Sequence, residues 1–296
     1  MNMINIFKAK AKTLLERTLL RKLEKAGYMK AGYIVATGQE YIYAEGDIPV
    51  LLVAHVDTVH KKPPKKIFHD PKHNVLWSPD GLGADDRAGV WAILKLIQDG
   101  YRPHVLFTDG EESGGTGAVE VIETLDPPDV NIIVELDRKG SNDAVYYNCD
   151  CSELEEYISY FGFETARGIF TDIVLLCPEW GIAGVNLSVG YYNAHSNAEY
   201  LCLNKLRRTI ERVAEMLENP PKERFEYKEK PHNIICYKND NRSCHLLEKC
   251  DSCDDWFVFD ELYEDNYGLL LCEYCYQAFY GRLPDKEGGD IREAAN

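Results

Sequence analysis

The sequence contains no apolar run that approaches the ~20 residues needed to cross a bilayer, and no excess of basic charge. Its 296 residues include 33 Lys and Arg against 49 Asp and Glu, a formal net charge of −16. That balance repels phosphate backbones and anionic lipid, so neither nucleic acid nor a membrane is an expected partner; an acidic surface also simply keeps a protein soluble. The opening residues, MNMINIFKAKAKTLLERTLLRKLEKAG, lack the apolar core and small-residue cleavage site of a secretory signal, and the expected location is the cytoplasm. Within residues 1–28, Ile6, Leu14, Leu15, Leu19, Leu20 and Leu23 recur at helical spacing between lysines and arginines, which reads as an amphipathic helix packed on the domain. Binding to a membrane surface is the alternative reading of that helix. No internal repeat recurs at a fixed period.

What is present is a globular composition, 45% hydrophobic, in a chain long enough for one sizeable α/β domain and a small appendage. Strand-like apolar runs occupy 33–37, 49–57, 104–109, 130–137, 172–177 and 184–190, and helical patterns occupy 85–99, 115–125, 152–161 and 199–217. Near-continuous apolar strands alternating with helices predict a mostly parallel central sheet covered by helices on both faces. The stretch 218–233, ENPPKERFEYKEKPHN, is rich in proline and charge, as a linker is. The expected organisation is a domain over 1–222, a linker over 223–233, a cysteine-rich module over 234–283 and a flexible tail over 284–296.

The polar residues of interest stand at the C-terminal ends of the expected strands, where open α/β sheets place ligands. LLVAHVDTV ends a strand with His55 and Asp57, which share a face two residues apart. His55 can ligate a metal while Asp57 fixes its ring; a hydrogen-bonded histidine at a strand end gives the same pattern. Asp85 and Asp86 in GADDRAG open a helix, either as caps favoured by its dipole or as metal ligands. Glu111 and Glu112 lie directly beyond another strand, a juxtaposition of like charges that costs free energy unless a cation compensates. VNIIVELD ends with Asp137, and GVNLSVGYYNAHSNAEYL places His195 before the last helix of the domain. His55, His195, Asp85, Glu111, Glu112 and Asp137 make two histidines and four carboxylates on one rim, a donor set that suits a pair of zinc ions sharing one carboxylate.

The order H-x-D, G-A-D-D-x-A-G, G-E-E, E-L-D, N-A-H-S-x-x-E-Y resembles the co-catalytic zinc exopeptidase superfamily, which includes the di-zinc aminopeptidases, peptidase T and carboxypeptidase G, over roughly residues 49–217. The resemblance implies that His55 and Asp137 hold one metal, that Glu112 and His195 hold the other, and that Asp85 bridges both. It further implies Glu111 as general base and Asp57 as the residue that orients His55. ARGIFTDIVLL is similar to the family's pocket stretch, with Arg167 set to meet a substrate carboxylate or to lie solvated, and Thr171 and Asp172 set to shape the wall. Tyr192 is either a substrate contact or packing. Many relatives insert a lid or dimerisation domain between the equivalents of Asp137 and His195; only 57 residues separate them here, which points to a compact, lidless architecture.

Six of the ten cysteines crowd the last sixty or so residues. Cys250-x2-Cys253 and Cys272-x2-Cys275, 18 residues apart, have the spacing of a zinc ribbon holding one structural zinc. Cys236, Cys244 and His245, with His232, form a candidate second zinc site; unpaired thiols are the alternative. From residue 231 onward 6 Lys and Arg face 14 Asp and Glu, so a protein partner suits this module better than a nucleic acid. The expected function is that of an aminopeptidase-like exopeptidase, hydrolysing a peptide or peptide-like amide by metal-activated water, with two zinc ions, or cobalt or manganese, at the site. A deacylase or amidohydrolase on the same scaffold, and a non-catalytic binding protein presenting the zinc module, are the alternatives.

Overall fold

A computed structural model describes residues 2–29, 35–230, 235–238, 244–253, 256–258, 261–265, 268–281 and 283. The chain divides into two compact units, Met1–Lys230 and Pro231–Asn296. In the first, eight strands form one sheet. In chain order they are β1 Val35–Thr37, β2 Tyr41–Ala44, β3 Ile48–His55, β6 Pro103–Thr108, β7 Ile132–Arg138, β8 Asp143–Val145, β9 Glu164–Ala166 and β10 Gly184–Ser188. A second, four-stranded sheet uses β4 Phe68–Asp70, β5 Val75–Trp77, β11 Tyr191–Tyr192 and β12 Tyr200–Cys202. The large sheet runs β1-β2-β6-β3-β7-β10-β8-β9. Its centre, β6-β3-β7-β10, is parallel, while β2 joins β6 and β8 joins β10 antiparallel.

The central strands are apolar on both faces because both faces are covered. Along β3, Val50, Leu52 and Ala54 enter one core layer while Leu51 and Val53 enter the other. The first layer packs under helices α4 Ala84–Gln98 and α8 Leu203–Glu218, and the second under α5 Thr116–Thr124 and α7 Asp172–Trp180; α6 Ser152–Tyr160 lies between β8 and β9 in the chain. Gly89 in α4 is required by this packing: a Cβ there would meet the carbonyl oxygen of Leu136 in β7 at 1.9 Å. The mostly parallel, helix-covered sheet is as the sequence predicts.

Three expectations need correction. The run 172–177 is helix, not strand. Ile173, Leu176, Cys177 and Trp180 recur at i, i+3, i+4 and i+7 and are buried on one face, a pattern that a short apolar run cannot distinguish from a covered strand. The stretch 199–217 begins as strand β12 and turns helical only at Leu203. The N-terminal segment is not one helix: α1 Met3–Phe7 is followed by α2 Ala11–Thr13, a π-helical turn Leu14–Leu19 and α3 Leu20–Ala26. It does pack on the domain, burying Ile6, Phe7, Leu14, Leu15, Leu19 and Leu23, and the Arg87 guanidinium of α4 donates to the carbonyls of Ile6 (2.9 Å) and Ala9 (3.1 Å).

Part of the stretch read as linker is bound to the first unit. Ala183 donates to the Phe225 carbonyl and Tyr227 to that of Gly181, while Asp150 donates to Lys228 and Lys230 to Asn148. The second unit contains β13 Ile235–Lys238, β14 Cys244–Lys249 and β15 Trp256–Val258 in one antiparallel sheet, β16 Leu262–Glu264 paired with β17 Leu270–Cys272, and helix α9 Glu273–Tyr280. The candidate second zinc site of His232, Cys236, Cys244 and His245, and the tail 284–296, lie outside the described side chains. No helix among the described residues is long and apolar enough to cross a membrane.

Since Leu19 is fully buried, Leu19→Ala is expected to cost about 2–5 kcal/mol. Urea unfolding of the full chain measures this; an unchanged midpoint would mean that the N-terminal segment is not part of the cooperative core.

Candidate metal centre

The four parallel strands deliver their C-terminal ends to one rim. β3 supplies His55, the turn after β6 supplies Glu111 and Glu112, β7 supplies Asp137, and the loop between β11 and β12 supplies His195. Asp85 enters from the start of α4, where it and Asp86 have non-helical backbone; Asp86 caps the helix, its Oδ1 accepting the Gly89 amide (2.9 Å), while Asp85 faces the cluster. The two oxygens of Asp85 face different neighbours. Oδ1 lies 3.3 Å from His55 Nε2, which is itself 3.5 Å from Asp137 Oδ1. Oδ2 lies 3.2 Å from His195 Nε2, which is 3.1 Å from Glu112 Oε2. Two clusters with mutual spacings suited to a metal ion thus share Asp85: His55, Asp85 and Asp137, and Asp85, Glu112 and His195. Glu111 Oε2 is 3.7 Å from His55 Nε2, beside both.

Asp57 ties this arrangement together. Its Oδ1 is 3.2 Å from His55 Nδ1 and accepts the Glu111 amide (3.3 Å), while Oδ2 accepts the Glu112 amide (3.1 Å). A carboxylate only accepts, so the Nδ1 hydrogen points at Asp57, and once its other proton is displaced the ring would turn the Nε2 lone pair toward the cluster. Gly110 makes the turn that carries Glu111 and Glu112 at φ 86°, a left-handed conformation that favours glycine.

Burial and like charge dominate the electrostatics. Burial and the Asp85 charge push Asp137 up to about 7. Burial, with Asp137, Asp172 and Glu112 adding and His55 opposing, holds Glu111 well above its ordinary value. Asp85 goes the other way: burial raises it, but the His195 and His55 rings beside it outweigh that and leave it depressed. Hydrogen bonds with Asp85 and Glu112 push His195 up to about 11. Crowded carboxylates that can ionise together only beside positive charge are what a cation site requires. His55 Nε2 and Glu112 Oε1 are buried without any hydrogen-bond partner, which fits atoms reserved for an ion.

Of the expected pocket residues, Thr171 donates to Asp137 Oδ2 (3.1 Å), and Asp172 accepts a short bond from Thr108. Tyr192 stacks on Tyr200 with ring centroids 5.1 Å apart. Arg167 is exposed after β9, and its carbonyl accepts from the Arg138 guanidinium (2.7 Å). Several residues that matter here were not singled out in the sequence. Glu199, almost fully buried, accepts the amides of Gly83 (2.5 Å), Ala84 (3.0 Å) and Asp85 (3.0 Å), and so fixes the loop that carries Asp85. Its signal was the glutamate four residues after His195 in N-A-H-S-x-x-E-Y. Asn186 accepts the Asp137 amide (3.0 Å), and Tyr191 donates to the Asp137 carbonyl (2.7 Å); neither stands in a pattern that spacing alone reveals.

In the second unit, ligand atoms of Cys250, Cys253, Cys272 and Cys275 all lie within 4.8 Å of one another. The first pair sits on the turn after β14; Cys272 ends β17 and Cys275 lies in the first turn of α9. Cys272 donates its amide to Cys250 Sγ (3.2 Å), a contact that favours thiolate. None of the eight described cysteines is in a disulfide.

No sequence-family model and no curated protein matches the chain. Solved structures do. A tripeptidase from Staphylococcus aureus superposes with TM-score 0.56 at 15% identity, over 73% of this chain and 96% of that one. The aminopeptidase PepT of Bacillus cereus does so with TM-score 0.53 at 15% identity, over 73% and 96%. The TET aminopeptidase of a marine-sediment Thaumarchaeota archaeon gives TM-score 0.54 at 14% identity, over 74% and 96%. The chain has the fold of these aminopeptidases and tripeptidase. At these identities the likeness is one of architecture, and the chemistry must be read from the rim itself.

Glu199→Ala strips three buried amides of their charged acceptor and is expected to cost about 2–4 kcal/mol, with Glu199→Gln costing less. Equilibrium unfolding of both variants tests this; equal stability to the parent would remove Glu199 from its anchoring role.

Proposed function

We propose that the chain is a metal-dependent exopeptidase that cleaves terminal residues from peptides by attack of water on the amide, with Glu111 as general base. The observation that carries this reading is the division of Asp85, whose two carboxylate oxygens serve two separate histidine–carboxylate clusters. His55 and Asp137 would hold one ion, Glu112 and His195 the other, and Asp85 both. Histidine and carboxylate donors suit zinc, with cobalt or manganese as substitutes. When bound, such ions lower the pKa of water and polarise a carbonyl oxygen.

The protein's own groups then have distinct tasks. Asp57 holds the His55 tautomer and, through the amides of Glu111 and Glu112, the turn that carries the base. The Glu111 carboxylate takes the proton of the attacking water and passes it to the departing amine. Thr171 and Tyr191 fix Asp137 from two sides. Thr171, Asp172, Tyr192 and, at the exposed margin, Arg167 form the proposed substrate wall. In the second unit, Cys250, Cys253, Cys272 and Cys275 hold one structural zinc, which supplies folding energy to a module with little core of its own and presents it to a protein partner. Free thiols in such a cluster suit the reducing cytoplasm.

Elemental analysis of the purified full chain is expected to find about three zinc ions, with one fewer after Glu112→Ala. Glu111→Gln should keep the metal but lower kcat on unblocked dipeptides by roughly 10²–10⁴. A folded chain that holds no metal after reconstitution, or a Glu111→Gln variant of unchanged kcat, would overturn the reading.

A further inference from the structure

The four-stranded sheet carries an aromatic row that the metal site does not explain. In register, Phe68 lies opposite Trp77, Trp77 opposite Tyr200, and Tyr200 opposite Tyr192. Residues directly opposite in antiparallel strands share a face, so the four rings stand in one line across the sheet. Phe68 and Trp77 stack with centroids 4.9 Å apart, and each remains 42% exposed. The other face, with Leu76, Leu201 and Tyr191, is buried in the core. Single exposed apolar side chains need no explanation, but an ordered line of aromatic rings facing solvent does.

Beside this row lies a departure from the chain's acidity, one of two basic stretches; the other is the N-terminal segment. Between Thr58 and His73 there are five lysines and one aspartate, in a chain of net charge −16. All five lysines are exposed, and none forms an ion pair among the described residues. Both features are continuous with the metal centre. The lysine loop leaves β3 directly after His55 and Asp57 and ends in Phe68. The aromatic row ends at Tyr192, three residues before His195 and therefore within about 10 Å of it along the chain.

We propose that this lysine-flanked aromatic row is a docking strip for the body of an acidic peptide whose terminal residue lies at the metal centre. This rests on the exopeptidase reading and specifies its substrate class. Unpaired lysines on an acidic protein attract carboxylates and steer their approach. The aromatic edges supply apolar contact to the peptide backbone and to its non-acidic side chains. Four strands span about 14 Å at ~4.8 Å per step, which an extended peptide covers with four or five residues. A dipeptide reaches the centre without touching most of the strip.

The test uses the zinc-loaded full chain, its quadruple variant with Lys61, Lys62, Lys65 and Lys66 changed to Glu, and Trp77→Ala. Two substrates share their terminal residue: a dipeptide, and a Glu-rich peptide long enough to cross the row, with a Gln-rich peptide as its neutral control. Anisotropy of the labelled long peptides reports binding independently of cleavage. In the quadruple variant, kcat/KM and affinity for the Glu-rich peptide should fall about tenfold or more, and dipeptide turnover should stay within about twofold. Trp77→Ala should weaken the Glu-rich peptide less and spare the dipeptide. The preference for Glu-rich over Gln-rich peptide should fade in high salt. Equal handling of those two peptides by the parent chain, alongside normal dipeptide cleavage, would overturn the strip and leave the exopeptidase reading standing. Lysine-dependent binding of the Glu-rich peptide without cleavage of any peptide would support the strip and overturn that reading. Tighter, equally lysine-dependent binding of an oligothymidylate would overturn the acidic-peptide assignment in favour of single-stranded nucleic acid.

Discussion

Like charges are not buried together without something to offset them, and the first unit is organised around that constraint. Asp85, Asp86, Glu135, Asp137 and Asp172 are all buried, with Glu111 and Glu112 next to them, around a single fully buried histidine. Histidine protons and backbone amides offset part of the repulsion. Asp57 and Glu199 use their own charge on amides of the loops that carry the ligands, and so stay outside the competition for the cluster. What remains is an excess of acceptors around His55 Nε2 and Glu112 Oε1, neither of which has a partner in the protein. A divalent cation resolves that excess with the fewest further assumptions, and the division of Asp85 between two clusters makes room for two.

The sheet serves this constraint. A parallel strand covered on both faces is held by packing along its whole length, so its last residue is placed with little freedom. Ligands from β3, the β6 turn and β7 inherit that precision. The two that do not come from strand ends are secured separately: the Asp85 loop by Glu199, and His195 by its position in the hairpin between β11 and β12. Because Glu199 belongs to that same hairpin region, one short segment both supplies a proposed ligand and holds the loop of the shared carboxylate. Coupling of this kind gives a reason for the small sheet beyond simple cover.

Much of this was legible in the sequence, for identifiable reasons. Long strands buried on both faces appear as unbroken apolar runs, and β3, β6, β7 and β10 were each read near their observed positions. His55, Glu111, Glu112 and Asp137 were legible because each follows such a run and interrupts its apolar character abruptly, whereas Asp85 and His195 were legible only through the linear order of the motifs. The misreadings share a cause as well. Asp172–Trp180 is apolar and about as long as a strand, and only its burial reveals the i, i+3, i+4, i+7 face. Strands β4, β5, β11 and β12 have three residues or fewer, too short to show period-two alternation, and β5 pairs with β12 across more than a hundred residues of chain. Asn186 and Tyr191 act on Asp137 through contacts that only the folded chain brings together.

The same hairpin bears on how a compact architecture can select substrates. No domain is inserted between Asp137 and His195, and His195 remains more than half exposed. An open rim offers few contacts to the body of a peptide, so discrimination has to come from surface beside the site rather than above it. The small sheet with its lysine loop continues from both ends of the metal centre, through β3 on one side and the His195 hairpin on the other. Charge placed there acts on approach over roughly a Debye length, whereas the aromatic rings act only in contact. The two together give a peptide both direction and register before its terminal amide reaches Glu111.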